Sequence, residues 1–346
     1  MYKSIYCLLS ILILFSCKSE NKSNENKSSE EEINVYTHRH YESDQELFKA
    51  FEKKSGIKVN VINASADELI QKMVLEGKQS PADVLITVDA GRLHRAKEKD
   101  LLQSISNSII DSVVPAHLKD KDNFWFGLTK RARVIVYSKE RVDPLELTSY
   151  ENLVDENWQN KIVVRSSSNI YNQSLLASII ANDGEEAAKM WAKGIVGNMA
   201  RNPKGNDRDQ VKAVAGGEGD LAIVNTYYLG KMLNSEDQTE YDAAQKVGIF
   251  FPNQEDRGTH INVSGIGVAK YAPNKKASIQ FIEYLLSEEA QQIFASSNYE
   301  YPVNPNVENA PTLKSWGSFK EDTLNLSKLG ELNKKAVILF DEAGWK

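Results

Sequence analysis

The chain predicts an α/β fold assembled from βαβ units, and three observations carry that prediction. From Ile33 onward, short β-rich runs alternate with longer amphipathic helical patterns. No segment recurs at a fixed period, which argues against a solenoid. At 346 residues and 41% hydrophobic side chains, the chain can bury a full core and has room for two domains.

The elements follow in order. Residues 33–37 (INVYT) read as a strand, and 44–54 as an amphipathic helix with Leu47, Phe48 and Phe51 on one face and Gly56 closing it. Residues 57–62 form a second strand, followed by a helix carrying Leu69, Ile70, Met73 and Val74. Residues 83–88 (DVLITV) are a buried-type strand, and Asp89 begins another helix. This alternation predicts a parallel sheet. Residues 131–137 (RARVIVY) carry the chain away from that set. A strand at 161–165, a helix at about 171–181 and a strand at 220–224 then build a second α/β unit, and 247–251 and 263–269 read as returning strands.

The N-terminus has a different character. Residues 1–16 combine Lys3 with an apolar run too short to span a membrane, and Leu14-Phe15-Ser16-Cys17 matches a lipoprotein cleavage box. Residues 1–16 are therefore expected to be a signal peptide, with Cys17 lipidated. Residues 17–32 lack apolar side chains after Cys17 and read as a disordered tether with an r.m.s. span of roughly 20 Å. Only Cys7 and Cys17 occur, so there is no disulfide framework and no cysteine metal site. The formal charge of -6 argues against nucleic acid as a partner and suits a protein that collects cations.

The candidate chemistry lies in tyrosines. Tyr41 falls between the first strand and its helix, ahead of Ser43-Asp44-Gln45-Glu46, which reads as a capping box. Tyr171 follows a strand and the polar turn Ser166-Ser167-Ser168-Asn169. Tyr227 and Tyr228 follow a third strand, with Asn225 or Thr226 as N-cap. In open α/β sheets ligands bind at the carboxyl ends of strands, so these four side chains can converge on one cleft. Neighbouring residues in a helix's first turn diverge by only about 100°, so both members of the Tyr227-Tyr228 pair can face one ion. The partial positive charge of a helix N-terminus favours phenolate. Phenolates are hard anionic donors suited to Fe(III), and His40 adds an imidazole as a further ligand or outer partner. His260 reads as structural, His94 and His117 as surface residues, and Arg39 and Arg133 as solvated or paired charges.

Longer stretches carry a resemblance. Pro81-Ala82-Asp83-Val84, Ser264-Gly265-Ile266-Gly267-Val268 and the segment from Ala272-Pro273-Asn274 through Tyr301-Pro302-Val303 resemble type II solute-binding proteins of ABC importers. Arg39-His40-Tyr41, Arg165 through Ser174, Asn225-Thr226-Tyr227-Tyr228 and Phe251-Pro252-Asn253-Gln254 resemble the tyrosine-rich branch of the bacterial ferric-iron-binding proteins. The resemblance implies a two-lobed fold, each lobe a mixed sheet flanked by helices, joined by two crossing strands near 130–133 and 250–252. Lobe 1 would comprise 33–130 and 252–310, lobe 2 would comprise 131–251, and 311–346 would be a helical segment packed on one lobe. It further implies Tyr41, Tyr171, Tyr227 and Tyr228 as metal ligands with His40 as an occasional fifth. Arg131 and Lys231 would be nearby cations, the latter standing where the family often has arginine. The implied protein is a monomer that carries Fe(III) to an ABC permease in the cell envelope.

Two other readings remain open at this point. The cleft of such a scaffold can hold an inorganic anion or small organic ligand, with Ser166 to Asn169 as ligands. An iron-dependent enzyme is the third reading, but Gly-x-Ser-x-Gly, His-Glu-x-x-His and a glycine-rich phosphate loop are all missing from the sequence.

Overall fold

A computed structural model describes residues 31–39 and 41–346. The predicted signal peptide, Cys17, nearly all of the tether, and His40 lie outside the described residues. Among the described residues, nine strands form one connected sheet: β1 (Glu32–Thr37), β2 (Lys58–Asn63), β3 (Val84–Val88), β4 (Phe126–Ser138), β5 (Ile162–Val163), β6 (Leu221–Asn225), β7 (Val247–Phe250), β8 (Ile261–Val268) and β9 (Tyr301–Pro302).

The strand order β2-β1-β3-β8-β4-β6-β5 separates the molecule into two α/β halves that share β4. Through Ala132, β4 pairs antiparallel with β8 in the first half, and from Arg133 it pairs antiparallel with β6 in the second. β7 lies on the second half of β4, and β8 then lies on the first half, so the chain returns between Phe250 and Ile261. The sheet is mixed, as the resemblance implies, and the parallel strand pairing expected from the βαβ alternation is confined to β1 with β2 and β3 and to β5 with β6, whereas β3 meets β8 antiparallel. Parallel pairing follows from βαβ crossovers, and the returning strands have none.

Local sequence explains the element ends. Gly56 takes the left-handed conformation that closes the helix Glu42–Ser55. Ser65 and Glu68 form a reciprocal capping box on the helix Ala66–Glu76. β3 is buried at every position, as its unbroken apolar run requires. The strand predicted at 161–165 shrinks to β5, because Val164 and Arg165 already lead into the serine turn.

The capping box predicted at Ser43 does not form. The N-cap is Tyr41, and the Ser43 hydroxyl instead accepts from Asn298 Nδ2 at 2.9 Å. The C-terminal segment straddles the two halves rather than packing on one. Its helix Ser327–Glu331 touches both Ala90–Glu98 and Ile170–Asp183, and Asn333–Ala343 packs on Ile170–Asp183 and Glu185–Asn198. Gly330 rests directly on His94, which is therefore buried, and His117 is half-buried; neither is the surface residue predicted.

Candidate metal site

Each candidate tyrosine sits at a helix N-terminus. Tyr41 is the N-cap of Glu42–Ser55, Tyr171 is in the first turn of Ile170–Asp183, and Tyr227 and Tyr228 are in the first turn of Thr226–Leu233. Asn169 fixes the second corner, its side chain accepting from the Tyr171 N–H at 3.1 Å. The Ser166 and Ser168 hydroxyls bond each other at 2.9 Å, so the turn is occupied with its own geometry.

Two of the phenol oxygens meet, and a third ring lies against them. Tyr171 Oη and Tyr227 Oη are 3.3 Å apart, and the Tyr227 and Tyr228 rings lie 4.2 Å centroid to centroid. Burial raises the Tyr41 pKa to about 12, with repulsion from Glu300 and Tyr171 adding to it. Burial also pushes Tyr227 well up, and the negative charges of Tyr171, Tyr228 and Tyr41 push it further. Tyr228 rises for the same reasons, burial first and then Tyr171. Phenols that repel one another on ionisation form a site for a cation of high charge.

Cations cover this cluster. The Arg39 guanidinium lies 4.9 Å from the Tyr41 ring centroid, Arg131 5.6 Å from Tyr227, Arg133 5.8 Å and Arg165 5.6 Å from Tyr171, and Arg208 5.6 Å from Tyr228. Lys231 Nζ stands 3.7 Å from the Tyr41 ring centroid, although the two side chains come from different halves. Burial lowers the Lys231 pKa to about 8.

Buried acids hold these cations. Glu300 accepts from Arg39 Nη1 at 3.0 Å and from Arg131 Nη2 at 2.6 Å, while Asp44 binds Arg39 through both oxygens at 3.0 Å. Asp207 pairs with Arg133 at 3.2 Å and with Arg165 at 3.1 Å. Burial alone would raise the Glu300 pKa, but Arg39 and Arg131 outweigh it and hold the carboxyl at about 2. His260 is fully enclosed, and burial with Arg133 and Arg257 nearby depresses its pKa to about 3, so it stays neutral. Among the described residues, no group of three His, Cys, Asp or Glu side chains offers a competing metal site.

The sequence reading missed Glu300, Asp207, Arg165 and Arg208, and it left Arg39 and Arg133 as ordinary charges. A glutamate flanked by Tyr299 and Tyr301 in an otherwise packed segment was the available signal for Glu300.

A family model described as bacterial extracellular solute-binding protein matches residues 79–321. The chain belongs to this family. Over 317 residues it is 51% identical to iron uptake protein A1 of Synechocystis, covering 92% of this chain and 88% of that protein. The solute-binding fold is shared with a Trichodesmium protein solved in complex with iron and citrate ligands, at a TM-score of 0.89 and 53% identity over 91% of this chain and 100% of that one. The ferric binding protein from Campylobacter jejuni is similar at a TM-score of 0.86 and 47% identity, covering 91% of this chain and all of that chain.

Proposed function

We propose that this solute-binding protein captures Fe(III) outside the cytoplasmic membrane with Tyr41, Tyr171, Tyr227 and Tyr228, and delivers it to an ABC permease. The observation that carries the reading is the meeting of Tyr171, Tyr227 and Tyr228 at two helix N-termini beneath a canopy of guanidinium groups, with Tyr41 near enough for its charge to act on Tyr171 and Tyr227. Names of similar proteins, an iron uptake protein and a ferric binding protein among them, support the cargo. Four phenolates on Fe(III) leave a net charge of -1, which the surrounding cations offset, so a synergistic anion is not required. His40, next to Tyr41 in the sequence, supplies an imidazole as a fifth ligand or an outer partner.

Lobe 1 comprises 33–130 and 252–310 and lobe 2 comprises 131–251; the passage of β4 from one set of partners to the other supports this division. Lobe 2 then contributes Tyr171, Tyr227 and Tyr228, and lobe 1 contributes Tyr41. Iron docks on lobe 2 and draws in lobe 1, since an ion shifts an open-closed equilibrium only through extra affinity for one form. Cys17 carries the lipid, and no helix among the described residues is long and apolar enough to cross a membrane. The test is Tyr227→Phe/Tyr228→Phe in equilibrium titration with ferric citrate. The double variant should retain its fold and bind no iron; wild-type uptake by it would refute the ligand assignment.

A further inference from the structure

We infer that Gly230 and Tyr299 are positioning residues for iron capture: they form the stop on which the two lobes seat, and so set the spacing between Tyr41 and the Tyr227-Tyr228 pair. The inference rests on the lobe division proposed above. Gly230 lies inside the helix Thr226–Leu233, three residues after Tyr227 and next to Lys231. Glycine in a helix interior is disfavoured relative to alanine, so a local argument gives no reason for it. The reason lies across the cleft. A Cβ at Gly230 would stand 2.7 Å from Tyr299 Cβ and 3.1 Å from Tyr299 Cγ. Those atoms are tied to the backbone, and no rotamer change moves Cβ out of the way.

Tyr299 is itself a locally costly choice. It ends the helix Glu288–Asn298 at φ 55 and ψ 35, a left-handed position where glycine or asparagine is favoured and a bulky side chain is an outlier. Two residues that each oppose local preference therefore face each other, with no room for a Cβ on Gly230. Adjoining contacts run along the same line. Lys231 covers the Tyr41 ring, Asn234 Nδ2 donates to Thr312 Oγ1 at 3.0 Å, and Glu300, next to Tyr299, joins Arg39 to Arg131. Any change in how deeply Tyr299 seats on Gly230 is transmitted to the helix that bears two ligands. Neither residue touches the ion; both act through the distance between donors.

The experiment uses the full-length, iron-loaded protein and follows the loss of its visible band as a strong chelator removes Fe(III). Gly230→Ala should release iron roughly tenfold faster or more, the scale of an overpacked contact. Its iron-free unfolding midpoint should not fall, because alanine favours the helix and the contact forms only on closure. Adding Tyr299→Gly, which removes the opposing Cβ, should restore the wild-type release rate. Release by Gly230→Ala at the wild-type rate would overturn the inference while leaving the tyrosine ligands standing. So would a lowered iron-free midpoint, or a double variant as fast as the single one. A wild-type protein that takes up no iron would instead defeat the function proposed above.

Discussion

Replacing Glu300 with glutamine isolates the charge network that supports the tyrosines. Glu300 is the carboxylate paired with Arg131, whereas Arg39 retains Asp44. Removing one partner of a buried pair costs about 3–5 kcal/mol. The depressed carboxyl gives an independent figure. A fall from 4.5 to about 2 is worth about 3 kcal/mol, and complete burial leaves no solvent screening to discount. The sign follows from the direction: a folded-state pKa below the unfolded one supplies stability that is present above pH 4.5 and lost as pH falls through 2. Urea unfolding of wild type and Glu300→Gln at pH 7 should therefore differ by about 3 kcal/mol. The gap should narrow as pH drops from 4.5 towards 2, where the wild-type carboxyl is protonated as well. A difference below about 0.5 kcal/mol at pH 7, the scale of an ordinary surface substitution, would refute the reasoning, as would a gap that is independent of pH.

Three further outcomes can be measured, two at the site and one at the anchor. Tyr41→Phe should still bind Fe(III) through the three lobe 2 tyrosines but more weakly, with a shifted visible band; an unaltered spectrum and affinity would remove Tyr41 from the ligand set. Acid should release the iron steeply, because Tyr41, Tyr227 and Tyr228 are all raised above 10 and each must shed a proton to bind, so apparent affinity should fall by about three powers of ten or more per pH unit. Titrations against a competing chelator between about pH 5 and 8, where His is the side chain that ordinarily titrates, check the slope once the chelator's own protonation is subtracted, and a slope near one proton would count against multiple phenolates. Cys17→Ser should move the protein from the membrane fraction to the soluble fraction, and unchanged fractionation would reject the anchor.

Much of this arrangement was legible in the sequence, for identifiable reasons. The β3 run VLITV and the amphipathic face of Leu47, Phe48 and Phe51 give patterns that tertiary contacts reinforce. The three strand-to-helix corners were legible because a tyrosine next to a polar turn is a local pattern, and the structure brings Tyr171, Tyr227 and Tyr228 together. Features that depend on distant partners were not readable. Ser43 has the spacing of a cap but is claimed by Asn298, which lies 255 residues away. His94 looks like a surface residue on its helix until Gly330 covers it. Antiparallel pairing of β8 with β3 and β4 leaves no mark in either strand's own composition. The pairing of Glu300 with Arg39 and Arg131 joins residues 261 and 169 positions apart, which no local window spans.

The central claim is that phenolates hold the iron, and resonance Raman spectroscopy of the iron-loaded protein tests it most directly. Excitation within the visible band should enhance tyrosinate ring vibrations, and the Tyr227→Phe/Tyr228→Phe variant should lose both band and vibrations. Iron bound stoichiometrically with no visible band and no tyrosinate modes would contradict the account.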